Sequence, residues 1–303
     1  MKIQKKIIIS GASGFVGTAL TSYLKGKGHE VLSLVRRSPK VASEISWNPL
    51  NREIDSSKLE GAFAVINLSG ESISSHRWTE KRKVTLRDSR INTTRFLIES
   101  LQKLQTKPKV FISASGMGYY GETGVEEVTE SAPMGSGFLA ELASKWENEA
   151  LKGRESFRVV LLRISMVISK NGGALAKMLL PFKLGLGAKL GSGTQYMNWI
   201  HLFDLLQCIE FCIENDSCSG PVNACAPNSV TNAEFTRRLA NAVHRPTFFL
   251  SLPEVFLGIL LGEMSQELLL VSTKGVPKKL IEAGFKFKYA SIEKAFEAEF
   301  LKS

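Results

Sequence analysis

The sequence predicts an α/β protein built on a doubly wound parallel sheet, with a smaller C-terminal lobe. Three observations lead to this prediction: buried β-rich runs alternate with helical patterns, glycines follow the first run, and small or polar residues follow later runs. Such alternation implies parallel strands joined by crossover helices, with ligands at the carboxyl edge of the sheet. At 303 residues and 44% hydrophobic, the chain can form one large domain with an added lobe.

The beginning of the chain reads as one strand–helix–strand unit. The β-rich run Ile7–Ile9 ends at Gly11, helical spacing of apolar residues continues to Gly28, and EVLSLV then starts a second strand. Gly11, Gly14 and Gly17 allow a tight turn, approach of the backbone to a pyrophosphate, and close packing of helix on strand. The helix N-terminus would face the phosphate charge. The unit predicts a Rossmann-type dinucleotide site, with a purely structural turn as the alternative.

An arginine pair follows the second strand, where the ribose of a bound adenosine is recognised. An acidic residue at this point would accept a hydrogen bond from the 2′-hydroxyl of NAD. The chain instead offers Arg36 and Arg37, and two guanidinium groups can clamp a 2′-phosphate. The pair therefore predicts NADP(H) in preference to NAD, with two exposed surface arginines as the alternative interpretation.

Three further buried strands end in small or polar residues. GAFAVINLSG (61–70), KVFISAS (109–115) and FRVVLLRISMVI (157–168) have the apolar character of central parallel strands. A long helical pattern, with apolar positions from Val84 to Leu101, links the first two. Because the carboxyl ends of parallel strands meet at one edge, NLSG and SASG are predicted to line the cofactor groove.

Composition and charge narrow the function classes. The net charge is +10, but the basic residues are scattered and accompany no aromatic–basic motif, which favours attraction of phosphorylated ligands over nucleic-acid binding. The basic start MKIQKKIIIS has too short an apolar run for a signal peptide. VFLGILLG, near 255–262, is too short to span a bilayer. These features predict a soluble, cytoplasmic protein.

The four cysteines raise the hypothesis of a metal site. Cys208, Cys212, Cys218 and Cys225 lie close together without a C-x-x-C pair. Cys208 and Cys212 are one helical turn apart, which suits the core face of a helix. The spacing favours reduced structural cysteines, and no metal site is predicted.

With these motifs, the chain resembles an extended short-chain dehydrogenase/reductase. The resemblance rests on GxxGxxG at 11–17, a serine-rich strand end before Tyr119, and NWIHLFDLLQCI at 198–209. More narrowly, the chain resembles the atypical epimerase-like subfamily labelled nucleoside-diphosphate-sugar epimerase, which has its own C-terminal segment. Matching stretches include INLSGESI, RWTEKRK, FISASGMGYYG, FLAELASKWE, LGSGTQYMNWIH, GPVNACAPNSVTNAEF and PKKLIEAGFKF.

The resemblance implies roles for individual residues. The glycines would hold the pyrophosphate, the arginine pair would lie near the adenosine phosphate, and Leu68 and Ser69 would line the strand-end pocket. Arg90 would reach the cofactor from the long helix, at the place of an active-site asparagine in ordinary extended members. Val167 would lie near the nicotinamide. The complete predicted cofactor set is Gly11, Ser13, Gly14, Phe15, Val16, Gly17, Arg36, Arg37, Leu68, Ser69, Gly70, Arg90 and Val167.

The usual proton-transfer pair of this family is missing. The chemistry uses a tyrosine, a lysine four residues later whose charge lowers the phenol pKa, and a serine that steadies the reacting oxygen. Among the five tyrosines only Tyr23 has such a lysine, Lys27, and that pair belongs to the first helix, on the wrong side of the sheet. The helix where the pair belongs has Lys145, but Glu141 stands four residues before it. Lys145 is therefore expected to be a solvated helix residue.

Ser115 and Tyr119 remain as the candidate catalytic residues. In the functional interpretation Ser115 is an oxygen ligand, and Tyr119 or Tyr120 contacts the substrate or the nicotinamide. In the alternative, these side chains only line a cofactor groove. His201 is expected to have a structural role, at the end of a strand before Asp204.

The predicted organisation has two parts. Residues 1–168, returning for about 199–226, are expected to form the NADP-binding domain, and 169–198 with 227–303 the substrate-binding lobe. The predicted function is an NADP(H)-dependent oxidoreductase or epimerase that acts on a small polar molecule, a nucleotide-sugar being one candidate. The alternative is an NADP(H)-binding sensor or interaction protein with little or no turnover. A monomer or homodimer is expected, with neither nucleic acid nor a membrane as a partner.

Overall fold

The computed structural model describes residues 3–247 and 251–300. Its strands are β1 (Lys6–Ser10), β2 (Glu30–Val35), β3 (Glu44–Asn48), β4 (Glu53–Ile54), β5 (Ala64–Asn67), β6 (Val110–Gly116), β7 (Glu127–Val128), β8 (Arg158–Ile164), β9 (Met166–Ile168), β10 (Tyr196–Met197), β11 (Trp199–His201), β12 (Gly220–Ala224), β13 (Val230–Thr231) and β14 (Lys274–Gly275).

The helices alternate with these strands over most of the chain. They are α1 (Phe15–Gly26), α2 (Glu80–Gln102), α3 (Phe138–Leu151), α4 (Gly173–Lys183), α5 (Leu202–Glu214), α6 (Asn232–Ala242), α7 (Glu254–Leu261), α8 (Glu263–Ser265), α9 (Lys278–Glu282) and α10 (Ile292–Phe300). Two 3₁₀ turns, Ser56–Lys58 and Met117–Tyr120, and a π-helical turn, Gln266–Leu270, complete the set.

The central sheet confirms the predicted fold class. Its eight strands lie in the order β12-β8-β6-β5-β1-β2-β3-β4. All neighbours pair in parallel except β3 and β4, which are antiparallel. From β1 the chain builds outward first through β2 and β3 and then, in the other direction, through β5 and β6. The strand order therefore reverses between β1 and β5, and ligands of doubly wound sheets bind at such a reversal.

Side chains on the two faces of the sheet form two separate cores. Ile7 and Ile9 of β1 belong to the cluster that α1 and α5 cover, whereas Ile8 belongs to the cluster that α2 covers. This division follows from the alternation of side chains along a strand. Cys208 and Cys212 are fully buried in the first cluster, which confirms their predicted place on the core face of a helix.

The C-terminal part of the chain adds a third core and three small pairs of strands. Leu175 of α4, Phe235 of α6 and Phe296 of α10 share this core. The small pairs are β9 with β11, β10 with β13, and β7 with β14. Each pair joins segments that are far apart in sequence. Through β9 with β11 and β7 with β14, later parts of the chain attach to segments that follow strands of the central sheet.

Two further features bear on the function class. No helix within residues 3–247 and 251–300 is long and apolar enough to cross a bilayer. Over the same residues, no group of three or more His, Cys, Asp or Glu side chains is arranged to hold a metal ion.

Candidate functional site

The turn after β1 is shaped by two glycines. Gly11 has φ of +70°, and a Cβ there would lie 2.6 Å from the carbonyl oxygen of Leu68. A Cβ on Gly17 would lie 2.2 Å from the carbonyl oxygen of Gly11. Both distances are far inside van der Waals contact, so a side chain at either position would displace the backbone. Gly14 is the N-cap residue of α1, and its amide donates to the Gly11 carbonyl at 3.0 Å.

The first turn of α1 presents free amide groups in front of β1. Within the described chain, no side chain caps this helix and no acidic residue lies in its first turn. The amide groups and the positive end of the helix dipole are therefore available to a phosphate, and this cradle fits a pyrophosphate. Solvent reaches the residues that form it, Ser13, Gly14, Phe15 and Val16.

Phe15 and Val167 meet at the start of α4. A Cβ on Gly173 would lie 3.1 Å from the Phe15 ring and 3.5 Å from the carbonyl oxygen of Val167. Val167 itself pairs with Ile200 through the β9–β11 ladder, one strand beyond the end of β8. Two residues of the predicted cofactor set therefore both lie against Gly173, where a side chain would be hindered.

The arginine pair after β2 divides into one bound and one open side chain. Arg37 forms a bidentate ion pair with Glu44, with N–O distances of 2.8 and 2.5 Å. The hydrogen bonds from Arg37 lower the pKa of the Glu44 carboxyl to about 2. Arg36 is exposed and forms no ion pair with any residue that the structure describes. Arg36 is therefore the guanidinium that is open to an approaching phosphate.

The end of β5 is fixed against β1 by buried polar contacts. The Ser10 hydroxyl donates to Asn67 Oδ1 at 2.6 Å, and Asn67 Nδ2 donates to the Thr94 hydroxyl of α2 at 2.8 Å. The backbone amide of Leu68 donates to the Ser10 carbonyl, and that of Ser69 donates to Asn67 Oδ1. Leu68 and Ser69 therefore lie beside the Gly11 turn, at the end of β5.

Arg90 reaches the same strand end from α2. Its Nη2 donates to the Glu71 carbonyl at 2.8 Å and its Nη1 to the Leu86 carbonyl at 3.2 Å. A Cβ on Gly70 would lie 3.1 Å from the Arg90 guanidinium carbon, so the cation covers this backbone. Burial, with a smaller effect of the nearby Arg82 cation, lowers the pKa of Arg90 to about 10. Arg90 remains charged at neutral pH, which suits an anionic or polar ligand group.

A buried polar network lies at the end of β6. The Ser115 hydroxyl donates to Glu147 Oε1 at 2.7 Å. Arg163 of β8 donates to both Glu147 oxygens, each at 2.8 Å, and although burial opposes it, the hydrogen bonds and charge of Glu147 raise the pKa of Arg163. Ser115 and Arg163 are register partners in the β6–β8 ladder, so their side chains project to the same face, toward α3.

The two tyrosines of the 3₁₀ turn have different surroundings. Tyr120 is buried, and its hydroxyl accepts from Arg163 Nη1 at 2.8 Å and donates to Asn223 Oδ1 at 2.7 Å. Burial raises the pKa of Tyr120 to about 12, against the opposing effect of Arg163. The Arg163 guanidinium carbon lies 3.5 Å from the centre of the Tyr119 ring. Tyr119 is half-buried, and its hydroxyl has no hydrogen-bond partner among residues 3–247 and 251–300.

Neither Tyr23 with Lys27 nor Glu141 with Lys145 supplies a buried proton-transfer pair. Lys145 lies on the exposed face of α3, 3.4 Å from Glu141, with both side chains 56% exposed. This confirms that Lys145 is a solvated helix residue. The Tyr23 hydroxyl donates to Glu210 of α5. Tyr23 therefore lies between α1 and α5, on the face of the sheet that these two helices cover.

Two contacts from the C-terminal segment reach this region, and no sequence signal predicted them. The Glu267 carboxylate accepts from the backbone amides of Phe138 and Leu139, at 2.8 and 2.7 Å, and so caps the N-terminus of α3. A Cβ on Gly275 would lie 2.1 Å from the Met117 side chain. The segment after α7 therefore packs directly on the elements that hold Ser115 and Tyr119.

His201 has a structural role, as predicted. Its Nδ1 accepts from the Phe203 amide and caps α5, and its Nε2 lies 3.0 Å from Glu299 of α10. The neighbouring Asp204 is buried and accepts from the amides of Lys288 and Tyr289, both at 2.9 Å. These side chains fasten the C-terminal helix to the start of α5.

Comparison with known proteins matches both parts of the chain. Residues 7–225 match the model of the NAD dependent epimerase/dehydratase family, and residues 252–299 match a domain of unknown function, DUF1731. The chain is 43% identical to the epimerase family protein Mb2239 of Mycobacterium bovis, over 95% of each chain.

Solved structures of similar proteins share the whole fold. The human epimerase family protein SDR39U1, crystallised with NADPH, superposes with a TM-score of 0.90 at 32% identity, over 98% of this chain and all of that one. A nucleoside-diphosphate sugar epimerase from Corynebacterium glutamicum superposes with a TM-score of 0.81 at 32% identity, over 98% of this chain and 58% of that one.

Proposed function

The chain belongs to the NAD dependent epimerase/dehydratase family, and we propose that it binds NADP(H) and acts as an oxidoreductase or epimerase on a small polar molecule. The single observation that carries the cofactor assignment is the combination of an uncapped α1 N-terminus with the open Arg36 guanidinium. Amide groups and a helix dipole suit the pyrophosphate, and a free guanidinium suits a 2′-phosphate. The NADPH in the human relative SDR39U1 supports the same choice.

The reaction would use the hydride chemistry that NADP(H) supplies when it is bound. In this proposal the strand-end residues Leu68 and Ser69, together with Arg90, orient the ligand, and Val167 borders the nicotinamide end. Tyr119 is the candidate that presents a hydroxyl to the substrate, because that hydroxyl has no partner among the described residues. Ser115 supports the site through Glu147. A nucleotide-sugar is one candidate substrate, in keeping with the Corynebacterium glutamicum relative.

The proposed division of labour follows the chain. Residues 1–168 with about 199–226 would bind the cofactor, and residues 169–198 with 227–303 would select the substrate. Glu267 contacts the start of α3 and Gly275 contacts Met117 after β6, and these contacts support the division because they bring the second part to the edge of the first.

A second candidate function, an NADP(H)-binding sensor with little turnover, is favoured by one observation. The hydroxyls of Ser115 and Tyr120 are both engaged in buried hydrogen bonds with Glu147, Arg163 and Asn223. Groups held in this way stabilise the fold and are less free to exchange protons with a substrate.

Two measurements test these proposals. Fluorescence titration should show tighter binding of NADPH than of NADH, and Arg36→Ala should weaken NADPH binding about tenfold or more with little effect on NADH. Arg37→Ala is the matched control, because Glu44 already holds that side chain. Equal affinities for the two cofactors would contradict the NADP(H) assignment. Transfer of label from NADPH into a metabolite extract would support turnover, and its complete absence would support the sensor.

A further inference from the structure

Exposed apolar side chains are concentrated on two elements of the C-terminal part. On α7, Val255 and Ile259 are 75% and 71% exposed, and Leu257 is the buried residue of that helix. The exposed positions of α7 are spaced by one and four residues, so they share one face. We name the full set the α4–α7 surface: Leu180, Leu184, Leu186, Val255, Phe256, Ile259 and Leu260.

Hydrogen bonds through a shared loop and between flanking segments bring the two elements close together. The loop at residues 74–77 joins them, because Lys177 of α4 donates to the Ser74 carbonyl and Arg77 donates to the Ile259 carbonyl of α7. The segment after α4 also runs beside the segment before α7: Gly191 donates to the Leu252 carbonyl at 2.9 Å. Apolar surfaces of this kind on a folded chain mark interaction sites.

Cations surround these apolar side chains, and within the described chain none of them pairs with a carboxylate. Their polar contacts are to carbonyl or hydroxyl oxygens: Lys177 with Ser74, Arg77 with Ile259, and Arg245 with Lys183. The cations are Arg77, Lys177, Lys183, Lys189 and Arg245. Two acidic residues flank α7: Glu254 at its start, and Glu263 just after its end, where Glu263 pairs with Lys83. The α4–α7 surface is therefore apolar at its centre and basic at its edge.

We propose that the α4–α7 surface docks on an anionic lipid bilayer. An exposed apolar helix face with lysine and arginine beside it is the arrangement that inserts at the headgroup–acyl boundary, where the basic groups meet lipid phosphates. A second copy of the chain is disfavoured as the occupant, because a two-fold interface would place the same unpaired cations against one another. This docking is peripheral, and it does not depend on the function proposed above.

Docking would bring the cofactor groove close to the bilayer. The α4 helix begins at Gly173, which lies against the Phe15 ring of the cofactor cradle, and ends at Lys183, one of the cations beside the α4–α7 surface. The mouth of the groove would therefore open beside the lipid surface.

Vesicle co-sedimentation of the full chain tests the proposal. The protein should sediment with vesicles of phosphatidylcholine and phosphatidylserine, remain in solution with phosphatidylcholine alone, and be released by high salt. Val255→Ser with Ile259→Ser should weaken binding at least about tenfold, because each side chain loses apolar area that the bilayer would cover. Lys183→Gln with Lys189→Gln should also weaken binding to the anionic vesicles, and the remaining binding should depend less on salt.

A matched control changes exposed apolar residues elsewhere. Val41→Ser with Leu50→Ser removes side chains that are 57% and 90% exposed and lie far from α7 in sequence, and it should leave sedimentation unchanged. Absence of binding to the vesicles that contain phosphatidylserine would overturn the proposal, and so would equal binding to both kinds of vesicle. A concentration-dependent dimer that Val255→Ser with Ile259→Ser abolishes would also overturn it, because the surface would then join two copies.

Discussion

Glu147 and Arg163 form a doubly hydrogen-bonded ion pair in which the side chains are only 6% and 2% exposed. The pair connects α3 to β8 and carries Ser115 on one side and Tyr120 on the other. The pair therefore holds the polar side chains at the end of β6 in place.

Glu147→Gln should destabilise the protein by about 3–5 kcal/mol, because it leaves the buried Arg163 cation without its counter-charge. Urea unfolding monitored by circular dichroism measures this loss. The control Glu155→Gln, in an exposed pair with Arg154, should cost at most about 1 kcal/mol. If Glu147→Gln does not fold, Glu147→Met with Arg163→Met should restore folding, since it removes both charges. Equal effects of Glu147→Gln and Glu155→Gln would contradict the buried pair.

Tyr119→Phe and Tyr120→Phe should have opposite consequences. Tyr120→Phe removes a buried hydroxyl that joins Arg163 and Asn223, so the unfolding free energy should fall by about 1–3 kcal/mol. Tyr119→Phe should leave stability within about 0.5 kcal/mol but reduce label exchange from NADPH. Thermal unfolding and the exchange assay separate the two effects. A loss of stability in Tyr119→Phe would mean that its hydroxyl has a structural partner.

Gly17→Ala should disrupt the turn after β1. The added carbon would lie 2.2 Å from the Gly11 carbonyl oxygen, so the helix or the turn must move, at a cost of about 1–3 kcal/mol. NADPH affinity should fall with it, because the amides of the first turn are displaced. Gly26→Ala is the matched control on the same helix, where a Cβ meets nothing within 4 Å; it should be neutral or stabilise by about 0.5–1 kcal/mol. Full NADPH affinity in Gly17→Ala would rule out this cradle.

Glu267→Ala should weaken the N-terminus of α3. The substitution removes the acceptor for two backbone amides, those of Phe138 and Leu139, and loss of a cap costs about 1–2 kcal/mol. Amide hydrogen exchange should show faster exchange in the first turn of α3. Glu282→Ala, in an exposed pair with Lys278, should change stability by less than about 0.5 kcal/mol. Unchanged exchange at α3 would show that this cap contributes nothing.

The Glu299 carboxylate should make the free energy of unfolding depend on pH in the acidic range. Although burial opposes it, the His201 ring and the Lys170 amide lower the pKa of Glu299 below its ordinary value of 4.5. The folded state therefore binds this proton less readily than the unfolded state, so the stabilisation is complete above pH 4.5 and is lost as the pH falls through the lowered pKa. Urea unfolding across this range should be less pH-dependent in Glu299→Gln than in the wild type. Parallel pH profiles would contradict the assignment.

Local sequence patterns were sufficient for the frame of the site. The turn at Gly11 and the close backbone contact at Gly17 involve residues near in sequence, so the glycine spacing predicts them. Side chains alternate between the two faces of a strand, which is why Ile7 and Ile9 face one core and Ile8 the other. The serine-rich end of β6 follows from the same reasoning, because parallel strands share an edge. Arg163 was not identified from the sequence, although it is a charge inside the apolar run VVLLRI and a buried charge needs a partner.

The sequence by itself determined the alternation of the main strands with helices, the glycine turn, and the arginine pair that favours NADP(H). Only the tertiary structure decided which polar groups are already paired. Arg37 is held by Glu44, Ser115 by Glu147, and the α3 N-terminus by Glu267. The physical reason is the sequence distance over which each kind of interaction acts. Backbone geometry and periodicity depend on neighbours in sequence, whereas the pairing of a side chain depends on distant segments that packing alone brings together.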